Sequence, residues 1–414
     1  MMEFIRQFAS LDRVPVCEAT RELTSHIADL LDTEMFEVPS GTRCLDWIIP
    51  DSWHVKQGVL KTSDGVVIAD YAKHPLSLWS CCGSFKGELD LEDLKPHLFH
   101  RASSPIGIPF HYRSWYDPHA NNDWGFSLPD DVAKALKPGR YRVDIDVERS
   151  PGSLCYIDCE LPGLDEKTIL LSAHTCHPGQ VNDGLANIAV LLELFNWLKQ
   201  STRKFTYRLV LGPEYFTAAA VLNQGRAIGD IVGGAYLDLA GANTELAWSR
   251  SSGGTSWMDH VMRTVTFDRD PAVSESSYRG VIGNDEMFYD GPHFEIPVVP
   301  VCRGVPPEYH TSLDDVDSCH SQRLGEMLDL LKDMIDFIEK EDLPTSSIVG
   351  PISLARREID PLPSNGSWGT QATQMALMKM DGRHSVSQIA LQSGLSTGDV
   401  ELFIRELYRQ EVFK

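Results

Sequence analysis

Two imidazoles and a carboxylate fall within ten residues in the segment ILLSAHTCHPGQVNDGLANIAVLLEL, where His174, His177 and Asp183 stand between an apolar run and a second apolar stretch. Imidazole nitrogen and carboxylate oxygen are the borderline donors that zinc takes in open catalytic sites. An H-x-x-H pair alone is equally compatible with a capped turn, so the reading needs further donors. RLVLGPEYF supplies one candidate partner, because Glu214 follows an apolar run and a proline at a point where a general base would stand beside an activated water. Farther along, VIGNDEMFYDGPHFEIPVVPV and PPEYHTSLDDVDS add Asp285, Glu286, Glu308 and His310.

These residues work together only if the chain brings them to one place. From about Ser153 to Glu341, short apolar runs alternate with amphipathic or apolar stretches of helical length: KTILLSAH, NIAVLLELFNWLKQ, YRLVLGP, FTAAAVLNQ and VGGAYLDLAG. That alternation predicts an α/β sheet with crossover helices, and such sheets bind ligands at the carboxyl ends of their strands. His174, His177, Asp183, Glu214 and Asp238 all follow predicted strands. The segment begins as a buried strand, turns at Pro178-Gly179 and places Asn182-Asp183 where a helix starts, a position at which the helix dipole favours a carboxylate.

The helical spacing of Phe4, Phe8 and Leu11, then of Leu23, Ile27, Leu30 and Leu31, predicts two helices before about residue 36. Between about Val38 and Val147 short apolar runs cut by Gly, Pro, Asn and Asp predict a mostly β module. Its Trp47, Trp53, Trp79, Trp115 and Trp124 are read first as core residues, with a cover over the site or a contact between copies as the alternatives. After EDLPTSSIVGPIS, the segment DGRHSVSQIALQSGLSTGDVELFIRELYRQEVF offers two short amphipathic helices about a glycine turn.

The chain has 414 residues, long enough for two or three domains. Its 59 acidic against 37 basic side chains give a net charge of −22, which repels polyanions and makes nucleic acid an unfavourable partner. Residues 350–414 hold as many acids as bases, so the helix-turn-helix texture there lacks a phosphate-binding face and is read as a packing or docking unit. Nine scattered cysteines, an odd number, fit reduced thiols in the cytoplasm, and no long apolar stretch or signal-like start predicts a membrane or secreted protein.

The order strand-His, Asn-Asp before a helix, strand-Glu, strand-Asp-x-x-Gly and His-Thr-x-x-Asp resembles the co-catalytic zinc aminopeptidases typified by bacterial leucyl aminopeptidase. A closer resemblance is to the aminopeptidase-like family found in polysaccharide-biosynthesis and natural-product gene neighbourhoods. It is carried by EVPSGTRCLDWIIPDSWHV, HTCHP with ND, PE, GNDE, PEYHTSLDDVD and DGRHSVSQIALQSGL. This resemblance implies a mixed-sheet zinc-exopeptidase core of the phosphorylase/hydrolase-like type from residues 1–40 and 151–345. It further implies an inserted β-rich domain over 41–150 and a winged helix over 350–414.

Residue by residue, the resemblance implies a zinc held by a histidine of HTCHP (His174, His177 or both), by Asp183 and by His310. Glu214 matches the base that takes a proton from the attacking water and passes it to the leaving amine. The leucyl-type enzymes carry two consecutive glutamates, whereas here Tyr215 follows Glu214, so one zinc is expected rather than two, with Asp238 a possible additional ligand. Asp285 and Glu286 are candidates to hold a substrate ammonium by charge-assisted hydrogen bonds. Cys176 is read as a buried packing thiol.

The expected function is hydrolysis of an amide bond in a small peptide or aminoacyl amide. An amidase or deacylase acting on a biosynthetic intermediate and a decayed binding or regulatory protein are the alternatives. A homo-oligomer is compatible with the sequence.

Overall fold

The computed structural model describes all residues except 113–114, 117–122, 268, 270–271, 349, 363–368 and 413–414. Eight strands make one mixed sheet: β1 (Met35–Pro39), β2 (Ser153–Leu161), β3 (Thr168–His174), β4 (Thr206–Gly212), β5 (Ile231–Leu237), β6 (Leu246–Ser249), β7 (Ser274–Ser276) and β8 (Val298–Arg303). Their spatial order is β1-β2-β4-β3-β5-β8-β6-β7. The four central strands β4, β3, β5 and β8 run parallel. Antiparallel pairing flanks them on both sides.

Parallel strands need crossovers, and the crossovers cover both faces. All seven residues of β3 are buried, which explains why TILLSAH reads as an unbroken apolar run rather than an alternating one. One face carries the helices Ala186–Leu198, Trp257–Thr266 and Ser321–Ile338 together with the N-terminal Met2–Phe8 and Glu18–Leu31. The other carries Phe216–Gln224. Ala186–Leu198 is apolar nearly all round because it lies between the sheet and neighbouring helices. The predicted core strands and helices are thus present.

The segment between β1 and β2 builds a four-stranded antiparallel sheet from Val67–Asp70, Ser52–Thr62, Arg140–Ser150 and Phe85–Asp90, in that order. Trp53, Trp79, Trp115 and Trp124 lie in its hydrophobic cluster. At the other end of the chain Gly369–Met378, Val386–Ser393 and Thr397–Arg409 are helical around a cluster of their own. Gly394, at φ 69°, makes the turn between the last two. Among the described residues there, β structure is limited to the single bridge of Thr345 with Asp381, so three helices are present and no β wing accompanies them.

One side chain ties the amino-terminal segment to the loop after β3. Arg13 is fully buried, and its guanidinium donates to the carbonyl oxygens of Phe8 (3.0 Å), Thr175 (3.0 Å), His177 (2.8 Å) and Gln180 (2.5 Å). Burial draws its pKa down to about 10, so it remains a cation at neutral pH. Replacing Arg13 by Met removes all four bonds; Phe8 and His177 keep the donors Leu11 N and Gln180 N, whereas a buried carbonyl left with no donor costs about 1–3 kcal/mol. We expect Arg13→Met to lose on the order of 3 kcal/mol of stability, read as a fall in the urea midpoint at unchanged m-value. A shift smaller than that of a surface substitution would show that the loop does not need this anchor.

Candidate metal centre

The candidate residues meet at the carboxyl ends of the parallel strands. His174 is the last residue of β3, Asp238 follows β5 directly, Glu214 lies two residues past β4, and His310 stands in the loop between β8 and Ser321–Ile338. Adjacent strand ends put these side chains within reach of one another although more than 130 positions separate the first from the last.

Asp183 is the hub. Its Oδ1 lies 3.0 Å from His174 Nε2, and its Oδ2 lies 3.0 Å from His310 Nε2 and 3.8 Å from His177 Nε2. Asp238 Oδ1 approaches His174 Nε2 at 3.8 Å. Among the described residues the potential donors form three sets, His177–Asp183–His310, His174–Asp183–Asp238 and His174–Cys176–His177–Glu214, with the ligand atoms of each within 4.8 Å of one another; Asp183 belongs to the first two. Despite these short approaches, His174 Nε2, Asp183 Oδ2 and Asp238 Oδ2 are buried without a well-formed hydrogen bond. Atoms that converge without donor–acceptor alignment are disposed as ligands about a common centre, so the donor set fits a zinc ion.

The local backbone explains the convergence. Asp183 and Gly184 interrupt the approach to the helix with a kink, Gly184 at φ 122°. A Cβ at Gly184 would come within 2.9 Å of the Cys176 carbonyl, so only glycine allows the turn to close on the β3 loop. Asp183 therefore precedes the helix in an irregular turn rather than capping it, and its charge is met by histidines. Asp314 pins the turn: its Oδ1 accepts from the backbone N–H and the side-chain amide of Asn182, both at 2.9 Å, and its Oδ2 accepts from Asp183 N at 3.0 Å. Asp314 is the acid of the His-Thr-x-x-Asp pattern, which gave a signal for it without a role.

Burial alone would raise the pKa of Asp183, but His177, His174 and His310 more than offset it and hold the carboxyl well below its ordinary value. Burial drives His177 well below the usual imidazole range. It acts on His174 in the same sense, yet the facing carboxylates of Asp183 and Asp238 take that ring well above it. Burial also raises Asp238, whose Oδ1 accepts from Leu239 N at 2.8 Å and Asn187 Nδ2 at 3.1 Å.

Glu214 is buried beside this cluster and raised by burial. One oxygen accepts from the Tyr116 hydroxyl and the other from Asn284 Nδ2 at 2.7 Å. Sequence reasoning missed Tyr116, which comes from the inserted segment far away in the chain, and gave Asn284 no role. Asp285 accepts from Tyr215 N at 2.5 Å and is pushed up to about 8 by burial. Glu286 is buried, with Oε1 2.7 Å from Arg279 and Oε2 accepting from Asn284 N at 2.5 Å. Asp285 thus braces the Glu214 turn, and Glu286 already has a cationic partner.

The inserted segment roofs the centre. Phe110 packs against His177 and His310 at 5.1 and 5.4 Å, and Trp115 against His177 at 5.3 Å. Tyr309 stacks on His310 at 3.9 Å. Arg101 Nη2 and Phe110 N both donate to the His310 carbonyl, at 2.5 and 2.9 Å. Trp47 packs on Tyr116, Tyr215 and Phe288 beside Glu214. Of the five tryptophans, Trp115 and Trp47 therefore border the site.

The profile of a family described as a domain of unknown function, DUF4910, matches residues 2–341. A Clostridium acetobutylicum protein provisionally named for polysaccharide biosynthesis, with an aminopeptidase-like domain, is 26% identical over 97% of this chain and 94% of its own. A crystal structure from the same organism, provisionally named a peptidase, superposes with a TM-score of 0.77 at 24% identity, covering 100% of this chain and 95% of that one. A zinc aminopeptidase from Bacillus subtilis superposes with a TM-score of 0.58 at 13% identity over 81% of this chain and 94% of its own. The mixed sheet is that of the zinc aminopeptidases, and with most of its length matched the chain belongs to the DUF4910 family.

Proposed function

We propose that this protein is a zinc-dependent hydrolase of the aminopeptidase kind, cleaving an amide bond next to a free amine in a small peptide or aminoacyl amide. The observation that carries the reading is the division of Asp183: one oxygen faces His174, the other faces His177 and His310. A carboxylate placed so can serve two ions at once. Sequence comparison alone favours a single zinc because Tyr215 replaces a second glutamate, but His177 stands where it completes the second donor set, and we favour two.

Bound zinc supplies Lewis-acid polarisation of the scissile carbonyl and a water of lowered pKa. The chain's own residues do the rest. Glu214, with one hydrogen bond to each oxygen, is fixed in orientation and made more basic by burial, so it can take the water's proton and return it to the leaving amine. Asp285 can receive the substrate ammonium once it gives up its own proton. Phe110, Trp115 and Tyr309 restrict the space over the centre, in keeping with a small substrate.

An intact, doubly hydrogen-bonded Glu214 supports a working enzyme over a decayed binding protein. An amidase or deacylase would use the same centre without an ammonium site. Nine free cysteines are in keeping with action in the cytoplasm, and among the described residues no helix is long and apolar enough to cross a membrane.

Elemental analysis of protein purified without chelator or affinity metal should find two zinc per chain, and Asp183→Ala should lose both because it removes the shared ligand. One zinc, retained in Asp183→Ala, would refute the bridging role. Glu214→Gln should keep the metal and the fold while lowering kcat on aminoacyl amides by roughly 10²–10⁴-fold; an unchanged rate would remove Glu214 from the chemistry.

With its carboxyl raised to about 8, Asp285 is mostly protonated at pH 7 and must ionise to pair with an ammonium. Binding of an uncleaved amine-bearing analogue at pH 7 should therefore release close to one proton. Calorimetry in buffers of different ionisation heat reads this directly, and release that persists in Asp285→Asn would assign the proton elsewhere.

A further inference from the structure

Cys176 is fully buried between the two histidines of the β3 loop, and its sulfur faces the ring nitrogens that the carboxylates do not. Sγ lies 3.6 Å from His174 Nδ1 and 3.5 Å from His177 Nδ1, and it also accepts the backbone N–H of Glu214 at 3.4 Å. The two Nδ1 atoms are themselves only 3.1 Å apart. The Nε2 atoms of both rings point the other way, to Asp183.

That arrangement creates a tautomer problem. A neutral imidazole that ligates through Nε2 carries its proton on Nδ1. If His174 and His177 each hold a metal through Nε2, both Nδ1 atoms are donors, and neither can accept from the other across 3.1 Å. They need one common acceptor. The Cys176 sulfur, large though a weak acceptor, sits at N–H···S distance from both.

We propose that Cys176 is a positioning residue for the metal centre: its sulfur accepts the Nδ1 protons of His174 and His177, so that two ligand histidines can lie back to back. Through the Glu214 amide the same atom sets the base against the centre. This inference rests on the zinc reading above. Cys176 shares a possible donor set with His174, His177 and Glu214, but its sulfur lies behind the ligand nitrogens, so it orients rather than ligates.

Removal of such an outer partner typically costs 10–100-fold in metal affinity. The test is a cobalt(II) titration of the full chain against a competing chromophoric chelator, for the wild type, Cys176→Ser and Cys176→Ala, with folding of each variant checked by circular dichroism in chelator. We expect cobalt affinity to fall about 10–100-fold in Cys176→Ala and to recover in part in Cys176→Ser, whose hydroxyl is still an acceptor. The cobalt d–d spectrum should change in Cys176→Ala, and the wild type should show no thiolate-to-cobalt charge-transfer band. On an aminoacyl amide, kcat should fall more than KM rises.

A charge-transfer band in the wild type that disappears in Cys176→Ala would make the sulfur a ligand and overturn the proposal. Equal cobalt affinity in all three proteins would reduce Cys176 to packing. If Cys176→Ala does not fold, Cys176→Ser decides alone, since affinity unchanged from the wild type or a loss beyond 100-fold counts against the proposal. A wild type that takes up no cobalt and no zinc would instead overturn the zinc reading.

Discussion

A carboxylate moved out of water without partners costs several kcal/mol or more, and Asp183 is buried to within 1% of its surface. Everything around it answers that cost. Three imidazoles surround its two oxygens, and their attraction holds the group ionised against burial. His174 ends β3, whereas His177 and His310 come from two loops that have no regular structure to hold them. Arg13 grips the first loop through carbonyls on both sides of His177, and Asp314 grips the turn that carries Asp183. The eight-stranded sheet provides the strand ends, but these two buried side chains decide how the loops close.

The backbone near the site is accordingly strained. His177, Tyr215, Leu239 and His310 all have positive φ, at 86°, 62°, 51° and 56°, a conformation that non-glycine residues rarely adopt. Such residues persist only where surrounding contacts over-determine them. For His177 the contacts are Arg13 and the ring packing of Phe110 and Trp115; for His310 they are Arg101, the Phe110 amide and the stacked Tyr309. For Tyr215 the restraint is the Asp285 carboxylate on its amide. The inserted segment is thus part of the centre, since it supplies the Tyr116 partner of Glu214 as well as the roof.

Much of the fold was legible in the chain. TILLSAH, YRLVLGP and VGGAYLDL are continuous apolar runs because their strands are covered on both faces, and that pattern survives without knowledge of neighbours. His174, His177, Asp183, Glu214 and Asp238 were legible as candidates because they follow predicted strands, and His310 through the His-Thr-x-x-Asp resemblance. Arg13 and Tyr116 were not, because nothing local distinguishes an arginine that will meet four distant carbonyls, or a tyrosine that will reach a glutamate 98 positions away, from a solvated side chain. Asp285 and Glu286 looked alike in sequence, and only the position of Arg279 separates them.

The sequence by itself determined which elements form, which residues stand at their ends and which chemistry those residue types can support, because periodicity and donor type are properties of short stretches. Tertiary structure alone decided how the donors divide. Whether His177 replaces His174, assists it or serves a second set depends on which oxygen of Asp183 each ring faces. Whether Cys176 is a packing thiol or an acceptor depends on which ring nitrogens lie within reach of its sulfur. Both are matters of distance and direction between loops from different parts of the chain, and no local pattern encodes them.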